Sequence, residues 1–197
     1  MRKRHLRSEN EGVMSANQHQ SVPRGARPRS ARLTNVNLAH LDLPAGGFTL
    51  REAEASDVGS IIALLADDDL RAYMESLAPE DRGPYDLAFA AIDADAAQLL
   101  VVAVGREGDV VATMQLTFLP GLARAGATRL QIEAVRVGFD LRGNGLGAAM
   151  IAWAITEGRR RGARLVQLTS DGSRSDAHRF YQRLGFEASH VGFKLAL

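Results

Sequence analysis

The stretch Leu130 to Ala148, LQIEAVRVGFDLRGNGLGA, constrains the fold more than any other part of the chain. An apolar strand pattern runs into a turn holding Gly143, Gly145 and Gly147, and the turn opens directly into a helical pattern that continues through Trp153 to Arg161. Glycine lets backbone amides come close to a ligand, and the first amides of a helix have no partner within it. The helix dipole attracts negative charge at that same end. A strand, a glycine turn and a helix in this order therefore form an anion holder, with Arg142 opening the turn.

Two familiar glycine loops do not fit these residues. A phosphate-binding loop of the Walker type needs Lys-Ser or Lys-Thr after its last glycine, and Gly147 is followed by Ala148-Ala149. Gly143-x-Gly145-x-x-Ala148 formally matches a dinucleotide fingerprint. However, Gln167 stands where an acidic residue is needed about 20 residues on, and too little chain follows to build a nucleotide domain.

The 197 residues, 46% of them hydrophobic, suffice for one core with a tail. Cysteine is absent, which excludes disulfides and thiolate metal sites, and the five scattered histidines suggest no metal centre. No apolar run approaches the roughly 20 residues that span a bilayer, and no apolar segment of signal-peptide type follows the basic N-terminus. The expectation is a cytoplasmic protein without membrane contact.

Charge divides the chain. Residues 1 to 32 hold eight Lys or Arg against two Glu, whereas residues 33 to 197 hold 16 basic against 21 acidic residues. Residues 1–46 lack helical or strand periodicity and are expected to be a disordered basic extension, with the folded domain spanning 47–197. The extension has no aromatic residue to stack on bases and no nucleic-acid reading motif, so a nucleic-acid partner is not expected.

Within the domain, Phe48-Thr49-Leu50-Arg51 reads as a strand, and Ser56-Asp57 caps a helix carrying Val58, Ile61, Ile62, Leu64 and Leu65. Residues 66–86 form the most acidic segment, either a solvated connector or a rim whose field attracts a cationic substrate. A second helix over Tyr85–Asp93 would bury Leu87, Ala88, Ala91 and Ile92. Strands over 99–104, 110–118 and 127–137 make an antiparallel meander. The helix from Leu146 and a strand over 164–169 then imply a right-handed crossover between parallel neighbours. Ser175-Asp176 caps a last helix, and short strands near 186–188 and 192–197 complete the sheet.

Residues 47–197 resemble the GCN5-related N-acetyltransferase (GNAT) superfamily. Arg142-Gly143-Asn144-Gly145-Leu146-Gly147 is similar to its Arg/Gln-x-x-Gly-x-Gly/Ala acyl-CoA loop, and Phe180-Tyr181-Gln182-Arg183-Leu184-Gly185-Phe186 follows at the family's usual separation. The resemblance implies an α/β fold with a mixed central sheet flanked by helices and a splayed parallel strand pair. It places pantetheine along Val135, Arg136 and Val137 and pyrophosphate on the amides of residues 142 to 147. It implies acetyl-CoA as co-substrate, with no metal. Many members carry Asn seven residues before the tyrosine; Arg174 stands there, either as a surface residue or in contact with a phosphate or the pantetheine amide. The family includes dimers, and nothing in this sequence selects one.

Acetyl transfer from a thioester to an amine needs a neutral amine, a stabilised oxyanion and a proton for the departing thiolate. Tyr181, protonated at neutral pH, matches the family's usual general acid. Glu133 stands two residues before Val135, and strand alternation would turn both toward the cleft, where Glu133 acts as base or as a hydrogen-bonding group. His178 and Asp171 fit surface or turn roles better. With neither a cysteine nucleophile nor a serine triad, transfer to an amine of a small molecule or protein is direct. The alternative is a catalytically idle regulatory module of the same fold, with the arm contacting nucleic acid.

Overall fold

The computed structural model describes residues 36–67, 75 and 78–196. Six strands form one sheet in sequence order: β1 (Asn37–Leu43), β2 (Gly46–Glu52), β3 (Gln98–Val104), β4 (Val110–Leu119), β5 (Thr128–Val137) and β6 (Ala163–Leu168). Neighbours run antiparallel except β5 and β6, which are parallel. The helices are α1 (Val58–Ala66), α2 (Arg82–Ala94), the one-turn α3 (Ala123–Gly126), α4 (Leu146–Arg160) and α5 (Ser175–Arg183). A parallel pair cannot be closed by a hairpin, and α4 supplies the crossover that the strand–helix–strand order requires.

The sheet is covered on both faces. On one, Leu50, Leu99, Val101, Met114, Leu116, Leu130 and Ile132 join Leu146, Met150, Ile151 and Ala154 of α4 in a single core. On the other, Val102 and Thr113 are just as buried, and α1 packs on β4 and β5 with Val58, Ile61, Ile62 and Leu64 turned inward. Burying a leucine or isoleucine side chain contributes about 1.5–3 kcal/mol, so this double layer supplies most of the cohesion. The start of α1 is also held electrostatically. Asp57 Oδ2 accepts from the Glu54 amide (2.7 Å), and its carboxylate receives Arg51 in a two-pronged pair of 2.6 and 2.8 Å.

Several sequence expectations need correction. The boundary at Gly47 falls inside a hairpin, because β1 pairs with β2 through Leu41↔Phe48 and Leu43↔Gly46. Leu38, Ala39, Leu41 and Leu43 pack on the core, so residues 37–46 are not part of a disordered extension. The polar residues preceding them mask a short alternation ending at Pro44. The remainder of the proposed extension, residues 1–35, lies outside the described residues.

Helix α2 turns Arg82, Tyr85, Phe89 and Ile92 toward the protein and leaves Leu87 75% exposed. Alanine fits either side of a helix, so Ala88 and Ala91 gave the expected phase no anchor. The phase is fixed instead by polar ties to other parts of the chain, Arg82 Nη2 to the Ala55 carbonyl (3.4 Å) and the Tyr85 hydroxyl to Glu75 (2.8 Å). At α5 the N-cap position belongs to Arg174 rather than Ser175. The expected strands at 186–188 and 192–197 are absent among the described residues to 196. Val191, Phe193 and Leu195 alternate as a strand would, but alternation makes a strand only beside a partner edge, and these side chains are 80–94% exposed.

Candidate functional site

The parallel pairing of β5 with β6 ends at Ile132↔Leu168, yet β5 continues to Val137. The cause is local. Ala134 adopts φ +52, and across β4 the register passes from Gln115↔Glu133 to Thr113↔Arg136, so three steps on β5 face two on β4. This is a bulge, and the left-handed backbone costs a non-glycine residue about 1–2 kcal/mol. It bends the strand away from β6 and opens a gap beside Glu133–Val137.

The bulge also revises one expectation. Strict alternation would put Glu133 and Val135 on the same face, but the register places Glu133 with Arg136 on one face of the sheet. Val135 and Val137 pack against the core that α4 covers.

Downstream, Phe139–Leu141 make a single 3-10 turn, and Gly143 (φ +79) and Gly145 (φ +87) take left-handed backbone before α4 begins. The first bond of the α4 ladder runs from the Ala149 amide to the Gly145 carbonyl (3.0 Å), so the Leu146, Gly147 and Ala148 amides precede it. The Arg142 amide donates to the Phe139 carbonyl (3.2 Å), which takes it out of the expected row of anion-binding amides. The Arg142 side chain is a brace: Nε donates to the Val137 carbonyl (3.0 Å), and Nη2 donates to the carbonyl (2.8 Å) and carboxylate (2.6 Å) of Asp67 at the end of α1. Gly147 lies between Val137 and Phe180, where an added Cβ would meet each at 3.6–3.7 Å.

Helix α5 closes the other side. The Tyr181 ring packs edge-on against Phe180 (5.1 Å between centroids) and Phe186 (5.8 Å). Burial pushes the Tyr181 phenol above the usual tyrosine value, although the charges of Arg136 and Arg174 pull the other way. The phenol is thus a protonated donor at neutral pH.

A cleft of about 800 Å³ gathers most of the sequence-predicted residues: Glu133, Val135, Arg136, Val137, Arg142, Gly143, Gly145, Gly147, Arg174 and Tyr181. Two are elsewhere. The Leu146 side chain is 1% exposed in the core, and Asn144 points its amide at the Asp140 carbonyl (3.5 Å). His178 and Asp171 make turn contacts as weighed, His178 Nε2 with the Asp171 carbonyl (2.9 Å) and Asp171 Oδ1 with the Ser173 amide (3.0 Å), although Asp171 also lines the cleft.

The sequence did not single out Gln115, Arg183 or Lys194, which also line the cleft, and placed Glu75 only within an acidic segment. Gln115 was within reach of inference, since the meander sets β4 beside β5 and Gln115 pairs with Glu133. Lys194 carries no motif. Of the acidic segment, Asp67 is engaged by Arg142 and Asp86 by Arg82, while Asp68 and Asp69 lie outside the described residues. Five cations, Arg136, Arg142, Arg174, Arg183 and Lys194, face three carboxylates, Glu75, Glu133 and Asp171, around the cleft.

No group of His, Cys, Asp or Glu among the described residues could hold a metal ion, and none of their helices is long and apolar enough to cross a membrane.

A sequence model of the acetyltransferase (GNAT) family matches residues 46–186. The aminoalkylphosphonate N-acetyltransferase of Salmonella typhimurium is 33% identical over 156 residues, covering 75% of this chain and 90% of that one. Among solved structures, a transcriptional regulator from Bacillus halodurans superposes with a TM-score of 0.73 at 40% identity, over 76% of this chain and 99% of its own. An acetyltransferase from Trypanosoma brucei superposes at 0.62 with 29% identity, over 76% and 99%.

Proposed function

The chain belongs to the acetyltransferase (GNAT) family, an acyltransferase family, and on that premise we propose that it transfers the acetyl group of acetyl-CoA directly to the amine of a small molecule. The observation that carries this reading is the gap beside β5, which opens next to the glycine turn and is closed across the cleft by Tyr181.

The residues fit the co-substrate. Backbone groups of Glu133–Val137 that do not pair with β6 suit the amides of a pantetheine arm, the Val135 and Val137 carbonyls each already accepting one bond, from the Arg136 and Arg142 side chains, and the unpaired amides before Ala149 suit a pyrophosphate. The Arg142 brace holds that loop to α1, and Arg174 adds positive charge. In the transfer, Glu133 receives the ammonium proton, a β5 backbone amide near Val135 donates to the oxyanion, and the Tyr181 hydroxyl protonates the leaving sulfur.

For the acceptor, the cations that line the cleft besides the Arg142 brace and the coenzyme-side Arg174, namely Arg136, Arg183 and Lys194, support an amine that carries its own anionic group. An aminoalkylphosphonate, the class named for the Salmonella relative, has this chemistry. It stands ahead of the purely cationic amine that the acidic segment suggested, because Asp67 is already committed to Arg142. A panel of aminoalkylphosphonates, amino acids, polyamines and peptide amines, read by release of free CoA, tests the proposal. Release with phosphonates alone or foremost supports it, and release with polyamines foremost restores the cationic acceptor. A second reading, the idle regulatory module, has in its favour the name of the Bacillus halodurans relative. Thermal stabilisation by acetyl-CoA with no CoA release from any amine would decide for it.

Two variants test the assigned parts. Gly145→Ala penalises the left-handed backbone by about 1–2 kcal/mol, so the free turn should relax away from it, and acetyl-CoA, whose binding must restore it, should bind roughly 5–30-fold more weakly by calorimetric titration. Unchanged binding would separate the loop from the coenzyme. Glu133→Gln should slow transfer most at low pH, where the amine depends most on a base; an equal loss at every pH makes Glu133 a positioning group.

A further inference from the structure

Resting on the cleft being an acetyl-transfer site, we propose that Lys194 is acetylated by this chain on itself, its Nζ taking the acetyl group from acetyl-CoA held in the same cleft. Only two of the 24 basic residues are lysines, Lys3 and Lys194. Arginine stays protonated and is no nucleophile, so Lys194 carries the one side-chain amine among the described residues. Lys194 lines the same cleft as Glu133, Tyr181 and Gly143.

Its setting suits an acceptor. Lys194 is exposed and lies in the stretch after α5 that forms neither helix nor strand, directly after Gly192 and Phe193. No ladder fixes its backbone, and four methylene carbons let the ammonium sweep a wide arc. Its neighbours Phe193 and Leu195 are 94% and 86% exposed. The other charged groups that line the cleft are the three carboxylates Glu75, Glu133 and Asp171 and the four arginines named above.

The step balances with the machinery already assigned. The Lys194 ammonium gives one proton to Glu133, which passes it to solvent. The freed electron pair forms the C–N bond at the thioester carbonyl, and the C–S bond breaks with its pair on sulfur. Tyr181 protonates that sulfur to give free CoA, and the second proton leaving Nζ restores the phenol. The product amide is neutral, so the cleft loses one of its five cations and should hold an anionic acceptor less tightly.

The test incubates the full chain with acetyl-CoA and no acceptor, follows intact mass, and maps the modified residue by peptide analysis. Lys3 is an internal reference for uncatalysed acetylation. A gain of one acetyl group at Lys194, at least ~10²-fold faster than at Lys3, is expected. At saturating acetyl-CoA the fraction modified per unit time should be unchanged on diluting the protein; modification should be absent in Lys194→Arg and slowed in Tyr181→Phe. Equal modification of Lys3 and Lys194 overturns the inference, as does a fraction modified per unit time that falls in proportion to protein concentration. So does an unmodified protein that still acetylates the amine panel, which leaves the proposed function standing. Failure to bind acetyl-CoA in a titration removes that function and the inference together.

Discussion

Tyr181→Phe is expected to lower kcat by roughly 10²–10⁴-fold, about 2.7–5.4 kcal/mol of transition-state stabilisation, with little change in the KM for acetyl-CoA. The size follows from what the substitution removes. Phenylalanine keeps the edge contacts with Phe180 and Phe186, so the cleft wall survives and only the proton donor is lost. In the proposed site the coenzyme is held by the glycine turn and β5 instead, so the loss should fall on kcat and kcat/KM alike.

The pH profile gives an independent readout. Burial raises the Tyr181 pKa, so the wild-type rate should hold past the ordinary tyrosine value of about 10 before its alkaline fall. The residual rate of the variant should lack that fall. Folding carries the same sign: a raised folded pKa favours the protonated phenol, so its contribution to stability is complete below pH ~10 and declines as pH rises through the folded value. Equal kcat in both proteins across the range would take Tyr181 out of the reaction.

The parts of the fold that sequence revealed are those whose signal is local. The glycine turn, the meander over 98–137 and the α4 crossover each rest on spacing within a few residues, and the observed elements lie within two residues of those expected. What was hidden depends on partners distant in sequence. Nothing near Ala134 announces φ +52; the bulge exists because β5 must leave β6 while staying registered to β4. Arg142 matched a motif for the turn itself, yet its side chain reaches Asp67, 75 positions away. Residues 37–43 become a strand only because β2 offers an edge, and 191–196 show the converse, a strand pattern with no such edge beside it. The site followed the same rule. Gly143, Gly145 and Gly147 were legible from spacing and Tyr181 from the family resemblance, whereas Lys194 reaches the cleft only through the path of the chain after α5.

The largest stability effect is expected from Asp57→Ala, a loss of about 3–5 kcal/mol in urea or thermal unfolding. The Asp57 side chain is 7% exposed and that of Arg51 14%, so alanine leaves a guanidinium charge largely out of water with no counterion, and it also strips the Glu54 amide of its acceptor. Each kcal/mol should lower Tm by roughly 2–4 °C in a domain of this size. Asp57→Asn keeps an acceptor for that amide without the charge and should fall between. Acid should erase the difference. Burial alone would raise the Asp57 carboxyl, but the Arg51 hydrogen bond, the Glu54 amide and the Arg51 charge together hold it below the usual carboxylate value. A lowered folded pKa stabilises above pH ~4 and the advantage fades as pH falls through the folded value, so the wild-type and Asp57→Ala curves should converge there. The consequence extends to the site, because α1 is anchored at its start by Arg51–Asp57 and at its end by Asp67–Arg142. Loosening the first anchor should therefore weaken acetyl-CoA binding even at temperatures where the variant remains folded. A stability cost under about 1 kcal/mol would reduce Arg51–Asp57 to the rank of an exposed ion pair and leave α1 held by its apolar face alone.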